Sequence, residues 1–291
     1  MAPIARSYLY VPADREKLLA KAHLRGADAL ILDLEDAVTP ANKEVARTSA
    51  AAHLADPRPG QLWVRVNSDR AAEDIAAVAS PALAGVWVPK AEPELLAAVD
   101  VALGAAERRL GLPDRTFQVI ALIETARGVL DVARVATSPR VLRLGLGEAD
   151  LAGELGLQPG PDGAELAPIR SQVVVASAAA GITAPVGPVE TVLGDAVRLA
   201  ASTRALLRQG FRARTAVHPD QLATINEVFT PSAAEIEAAR GVLAALAEAE
   251  RQGTGIATQA NGQMLDRAVV RAAAEVLDRA AGMGDHPGPP S

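Results

Sequence analysis

Residues Gln118 to Asp150 read QVIALIETARGVLDVARVATSPRVLRLGLGEAD. Two short apolar runs, Gln118–Ile123 and Val141–Leu146, flank a longer segment of helical character. The first run ends on Glu124-Thr125, the second on Gly147-Glu148-Ala149-Asp150. A short apolar run, a helical stretch and a second short run are the mark of a βα unit feeding a parallel strand.

The same alternation extends in both directions. Further candidate strands are Ser7–Val11, Ala29–Leu34, Leu62–Val66, Gly85–Pro89, Ile182–Val186 and Arg212–Val217, which makes eight in all. Helix starts are expected at Ala13-Asp14, Thr39-Pro40 and Glu92-Pro93, because proline suits a first helical turn. Eight βα units within 291 residues predict an α/β chain folded as a (β/α)8 TIM barrel with a C-terminal helical lid or arm. An open doubly wound sheet is the second choice, since alternation alone does not reveal closure. The expected domains are a catalytic barrel over residues 1–230, C-terminal helices and lid over 231–283, and a disordered tail over 284–291. Gly253–Gly262 reads as a hinge, and a last helix is expected over about Leu265–Ala281.

Composition agrees with this class. The chain is 49% hydrophobic but only 2% aromatic, so Ala, Val, Leu and Ile must fill the core, as suits buried parallel strands. A net charge of -6 argues against nucleic acid as a partner. The absence of cysteine excludes disulfides, zinc–thiolate sites and a cysteine nucleophile. No apolar stretch is long enough for a membrane helix and the N-terminus lacks a signal pattern, so a cytoplasmic location is expected.

In a (β/α)8 barrel the chemistry belongs at the C-terminal ends of the strands. There the sequence places Asp33-Leu34-Glu35-Asp36, Arg65-Val66-Asn67, Pro89-Lys90, Glu124 and Glu148-Ala149-Asp150. Charges at the ends of apolar strands are costly to bury unless paired or metal-bound. Glu124 and Asp150, from adjacent units and without nearby His or Cys, select a hard cation, Mg2+ or Mn2+. Such an ion keeps open positions for the keto and carboxylate oxygens of a 2-keto acid. Glu148 is either an alternative ligand or a helix-start acid. Arg65 alternates with Val64 and Val66 and can fork onto a carboxylate or polarise a carbonyl, or else pair with the Asp33-Glu35-Asp36 cluster. Glu35 and Asp36 are counted with the catalytic groups, holding metal waters and Lys90. Lys90 is also the one strand-end candidate for a Schiff base. His218 is read as structural, and Gly145-Leu146-Gly147 is rejected as a dinucleotide loop for want of a third glycine.

At these residues the chain resembles the HpcH/HpaI aldolase and citrate lyase β-subunit family. The resemblance runs through Arg6-Ser7-Tyr8-Leu9-Tyr10-Val11-Pro12-Ala13, Gly26 to Val38, Lys43 to Arg47, Val64-Arg65-Val66-Asn67, Val88-Pro89-Lys90, Ala121 to Ala126, Gly147 to Leu151 and Val217 to Gln221. It implies a homotrimer or hexamer, Mg2+ on Glu124 and Asp150, and Arg65 against the keto-acid or acyl carbonyl. It further implies substrate contacts at Arg65, Glu124, Gly147, Glu148 and Ala149. Gly262-Gln263-Met264-Leu265-Asp266 matches a lid segment in which Asp266, supplied by a neighbouring subunit, exchanges a proton with a thioester enolate; Asp266 also suits the N-cap of the last helix. Asn261-Gly262-Gln263 and Ala213-Arg214 depart from the family pattern where CoA contacts are expected. The function implied is Mg2+-dependent cleavage or formation of a malyl-, citramalyl- or citryl-CoA, giving a 2-keto acid and an acyl-CoA. The alternatives are a CoA-independent aldolase on hydroxy-keto acids and a non-catalytic, oxo-acid-binding subunit of a complex.

Overall fold

A computed structural model describes residues 4–56, 60–251, 257–258 and 264–281. Eight strands, β1 (Ser7–Pro12), β2 (Ala29–Asp33), β3 (Gln61–Arg65), β4 (Leu83–Val88), β5 (Gln118–Ile123), β6 (Val141–Leu146), β7 (Val186–Gly187) and β8 (Ala213–Ala216), form one closed barrel. Every neighbouring pair is parallel, and β1 closes the ring on β8. The expected TIM-type barrel is therefore what the chain forms, and the open sheet is excluded.

Helices α1 (Glu16–Ala22), α2 (Lys43–Ala55), α3 (Ala71–Val78), α4 (Pro93–Leu110), α5 (Ala126–Leu130), α6 (Val132–Ala136), α7 (Glu148–Leu155), α8 (Ala167–Ala180), α9 (Ala196–Gln209) and α10 (Leu222–Phe229) alternate with the strands. The expected start at Glu92-Pro93 is observed, with Glu92 at the N-cap of α4. Two others shift. Helix α1 begins at Glu16, because a turn from Arg15 N–H to the Pro12 carbonyl intervenes and the Asp14 carboxylate accepts from Asn42 at 2.8 Å instead. Thr39-Pro40 opens a short 3-10 turn, and α2 proper starts at Lys43. The seventh strand is also shorter than the expected Ile182–Val186. Pro185 has no N–H for the ladder, and the Ala184 carbonyl accepts from the Arg143 side chain at 2.7 Å.

Alternation along the strands fills the lumen. Tyr8, Ile31, Trp63, Trp87, Ile120, Leu122, Val186 and Ala213 form one buried cluster. Tyr8 of β1 meets Trp87 of β4 edge-on at 5.3 Å; those strands are not neighbours, so the contact runs through the barrel interior. A side chain on Gly145 would come within 2.8 Å of Trp87, so glycine there makes room for the indole. Two residues further along β1, β2, β3 and β5, the same inward face carries Tyr10, Asp33, Arg65 and Glu124.

The chain divides into two compact units, Ala5–Asn226 and a second that holds Ile4 and the described residues from Glu227. In the second, α11 (Ala233–Arg251) and α12 (Arg267–Ala281) pack together, with Val242, Ala245 and Val269 around Ala249. Ser232 starts α11 through reciprocal bonds with Glu235. Within the expected hinge, β9 (Ala257–Thr258) pairs antiparallel with β10 (Met264–Leu265), which lies beyond it. The rest of Gly253–Gly262, Gln263 and the tail 284–291 lie outside the described residues. Among the described residues, no helix is long and apolar enough to cross a membrane.

Candidate functional site

The inward-facing strand ends meet at one mouth. Asp33 is fully buried and is held by the N–H groups of Glu35 and Ala37, at 2.9 and 3.2 Å. It grips Arg65 by two parallel bonds, Nε to Oδ1 at 2.7 Å and Nη2 to Oδ2 at 2.6 Å. The third guanidinium nitrogen, Nη1, lies 2.9 Å from Glu35 Oε2 and 3.5 Å from Asp36 Oδ2. Arg65 also lies over the Tyr10 ring at 4.8 Å. Burial works against its charge, but the bonds and charge of Asp33 outweigh burial and raise its pKa. The ion pair with the acidic cluster is thus real: Asp33 holds one edge of the guanidinium, and Nη1 lies beside Glu35 and Asp36.

Lys90 follows β4 and Pro89 with a left-handed backbone, φ 49°. Its N–H donates to Glu124 Oε1 at 2.9 Å and its Nζ to Glu35 Oε1 at 2.7 Å. Burial opposes its charge, yet Glu35, Glu124 and Asp36 together raise its pKa, so it is an ammonium and a poor Schiff-base nucleophile.

Glu124 is 3% exposed, and its carboxyl is pushed up to about 7 by burial, with the charges of Glu35 and Asp150 adding to it. Thr125 then caps α5 by accepting from Gly128 N–H at 3.0 Å, which fixes the turn after the acid. Asp150 is exposed in the first turn of α7. Gly147 packs against Glu124: a Cβ there would fall 2.6 Å from Glu124 Cβ and 2.7 Å from its Oε2. The Gly147 N–H is engaged by the Ile123 carbonyl, so its contribution is the absent side chain. Helix α7 starts without a side-chain cap, leaving its first-turn amides for an acceptor from outside the helix.

The structure separates the other candidates. Glu148 is bound to Arg170 by two bonds, at 2.5 and 2.8 Å, in the wall of a cavity of about 310 Å³ that Glu190, Arg198 and Arg214 also line. His218 caps the turn after β8 by accepting from Asp220 N–H. Asp266 is exposed and caps α12, accepting from Ala268 and Val269 N–H at 2.8 Å each. Reading the sequence missed Tyr10, although the Tyr8-Leu9-Tyr10 alternation carries it inward. It also missed Arg170, which lies in a helix and has no local signal.

Among the described residues, no group of three or more His, Asp or Glu is gathered as a metal cage. Glu124 and Asp150 have no ion-pair partner there either. A buried, proton-hungry carboxyl beside a second carboxylate fits a hard divalent cation held by few protein oxygens.

Fold and mouth together define a (β/α)8-barrel protein with a carboxylate-and-arginine site at the C-terminal rim. The chain belongs to the HpcH/HpaI aldolase/citrate lyase family, whose model matches residues 6–219. It is 32% identical to citrate lyase subunit beta of Leuconostoc mesenteroides subsp. cremoris, over 94% of this chain and 92% of that one. It is 35% identical to a (3S)-malyl-CoA thioesterase of Cereibacter sphaeroides, over 94% of each. Its fold is similar to that of protein CitE from Mycobacterium tuberculosis in complex with magnesium, acetoacetate and coenzyme A, with TM-score 0.76, 31% identity and coverage of 95% and 98%. A second structure, citrate lyase beta subunit from M. tuberculosis with oxaloacetate and magnesium, has TM-score 0.65 and 30% identity over 78% of this chain and 97% of that one.

Proposed function

We propose that the chain is a Mg2+-dependent carbon–carbon lyase that cleaves, or forms, a 3-hydroxy-acyl-CoA of the malyl, citramalyl or citryl type. The observation that carries this reading is Glu124: a buried carboxyl near neutrality, next to Asp150 and Arg65's neighbour Glu35, with no ion-pair partner among the described residues. Glu124 and Asp150 would hold Mg2+, or Mn2+ in its place, and the ion would polarise the oxygens of the keto-acid half. Magnesium in the M. tuberculosis relatives supports this assignment.

Arg65 binds the same half through its Nη1 edge, while Asp33 fixes its plane so that no orientation is lost on binding. The first-turn amides of α7, at Glu148 and Ala149, take a carboxylate oxygen. Cleavage breaks the bond between the hydroxyl-bearing carbon and the carbon next to the thioester. The hydroxyl proton passes to solvent, the keto acid forms, the bonding pair stays on the thioester carbon as an enolate, and that carbon then takes up a proton. Asp266 exchanges that proton as acid and base from the lid of a neighbouring subunit in a homotrimer or hexamer.

Incubating the protein with malyl-, citramalyl- and citryl-CoA, with and without Mg2+, tests the reading. Metal-dependent release of a keto acid with an acyl-CoA supports it. The Cereibacter relative favours a second reading, thioester hydrolysis, in which the products are a free hydroxy acid and CoA.

A further inference from the structure

Lys90 occupies a backbone position that suits glycine. At φ 49° a residue with a side chain carries local strain that glycine avoids. The N–H bond to Glu124 does not explain the lysine, since any non-proline residue supplies it. The side chain must offset the strain, and its one hydrogen-bonded partner among the described residues is Glu35.

Glu35 stands between two cations. Its Oε1 accepts from Lys90 Nζ at 2.7 Å. Its Oε2 is buried and has no hydrogen-bond partner among the described residues, although Arg65 Nη1 lies only 2.9 Å away. The Nη1 hydrogens are therefore not aimed at Glu35, while the other two nitrogens of Arg65 are bonded to Asp33. A small rotation of Glu35 would close the remaining edge.

We propose that Lys90 is a positioning residue: by tethering Glu35 it keeps the Nη1 edge of Arg65 open for an anionic ligand. This rests on the reading of Arg65 as the group that meets the keto acid. Released from Lys90, the unsatisfied Oε2 takes the Nη1 hydrogens, and a ligand then competes with a carboxylate already in place.

The test compares Lys90→Gly, Lys90→Gly/Glu35→Gln and Lys90→Gly/Asp36→Asn by calorimetry with Mg2+ alone and with Mg2+ plus pyruvate or oxaloacetate, together with a crystal structure of Lys90→Gly. Glycine keeps both the backbone and the N–H to Glu124, so the fold and Mg2+ binding are retained while keto-acid affinity falls by about tenfold or more. Glu35→Gln restores it, since a neutral amide no longer seals the guanidinium. Asp36→Asn makes the same charge change and does not restore it. Equal rescue by both would reduce the effect to net charge and overturn the inference. A Glu35 that stays in place in the Lys90→Gly structure overturns it whatever the protein binds. Wild-type protein that binds no keto acid sinks the functional reading, and the Glu35 position then decides the inference alone.

Discussion

Arg65 and Asp33 are opposite one another in the β2–β3 register and join through two parallel bonds of 2.7 and 2.6 Å. A planar fork held on one edge leaves the other edge at a fixed angle to the mouth. Arg65→Lys keeps the charge but cannot keep both edges. We expect kcat/KM to fall at least about tenfold, ~1.4 kcal/mol of transition-state stabilisation. Kinetics close to wild type would return Arg65 to a purely structural ion pair.

Glu124→Gln and Asp150→Asn each remove one of two assigned ligands. Mg2+-dependent binding of oxaloacetate, pyruvate or glyoxylate should vanish from the calorimetric titration in both. Asp150 is exposed, so its variant should keep wild-type stability. Unchanged binding in both variants would remove the metal assignment.

The Glu124 carboxyl also sets a pH dependence. Its folded pKa of about 7 lies above the ordinary glutamate value of 4.5. Between those values the folded chain holds a proton that the unfolded chain has released, so metal-free stability falls as pH rises through this window. The full effect is about 3 kcal/mol above neutrality. Thermal melts at pH 5 and pH 8 without metal should show the loss, and Glu124→Gln should flatten it. Mg2+ needs the ionised form, so its affinity should rise with pH up to about 7 and level off above.

Much of this arrangement was legible in the chain itself. Asp33, Arg65 and Glu124 were readable because each continues the inward alternation of an apolar strand by two residues. Lys90's backbone was not, because nothing in Pro89-Lys90-Ala91 marks a lysine for the left-handed region. The seventh strand is shorter than its apolar run Ile182–Val186 suggests, since such a run does not show that Arg143 takes the Ala184 carbonyl from across the wall. Glu148 stayed ambiguous beside Asp150 until Arg170, in another helix, resolved which acid is already paired.

Gly147→Ala is the most local test of the packing at Glu124. A methyl group 2.6 Å from Glu124 Cβ must displace that side chain or the start of α7. Mg2+ affinity should drop with a stability loss of about 1–3 kcal/mol. Full retention of both would show that Glu124 has room the structure does not display.

Asp266 carries two roles that substitution can separate. Asp266→Asn keeps an N-cap acceptor for Ala268 and Val269, so Tm should barely move, whereas Asp266→Ala should cost about 1 kcal/mol. If Asp266 serves a neighbouring barrel, Asp266→Asn loses turnover but retains Mg2+ and keto-acid binding. Mixing it with an inactive Arg65 variant should then restore part of the activity. No rescue despite proven subunit exchange would count against a lid acting in trans.

The barrel floor has an optical consequence. The chain has two tryptophans, Trp63 and Trp87, both within the lumen and at most 1% exposed. Trp63 lies two residues before Arg65 on the same inward face, and Trp87 three residues before Lys90. Indole emission from this protein is therefore an interior signal, blue-shifted and sheltered from aqueous quenchers, with no surface tryptophan to dilute it. A charged ligand or cation arriving at the mouth changes the electric field across both rings, so the unlabelled chain is its own fluorescent titration probe.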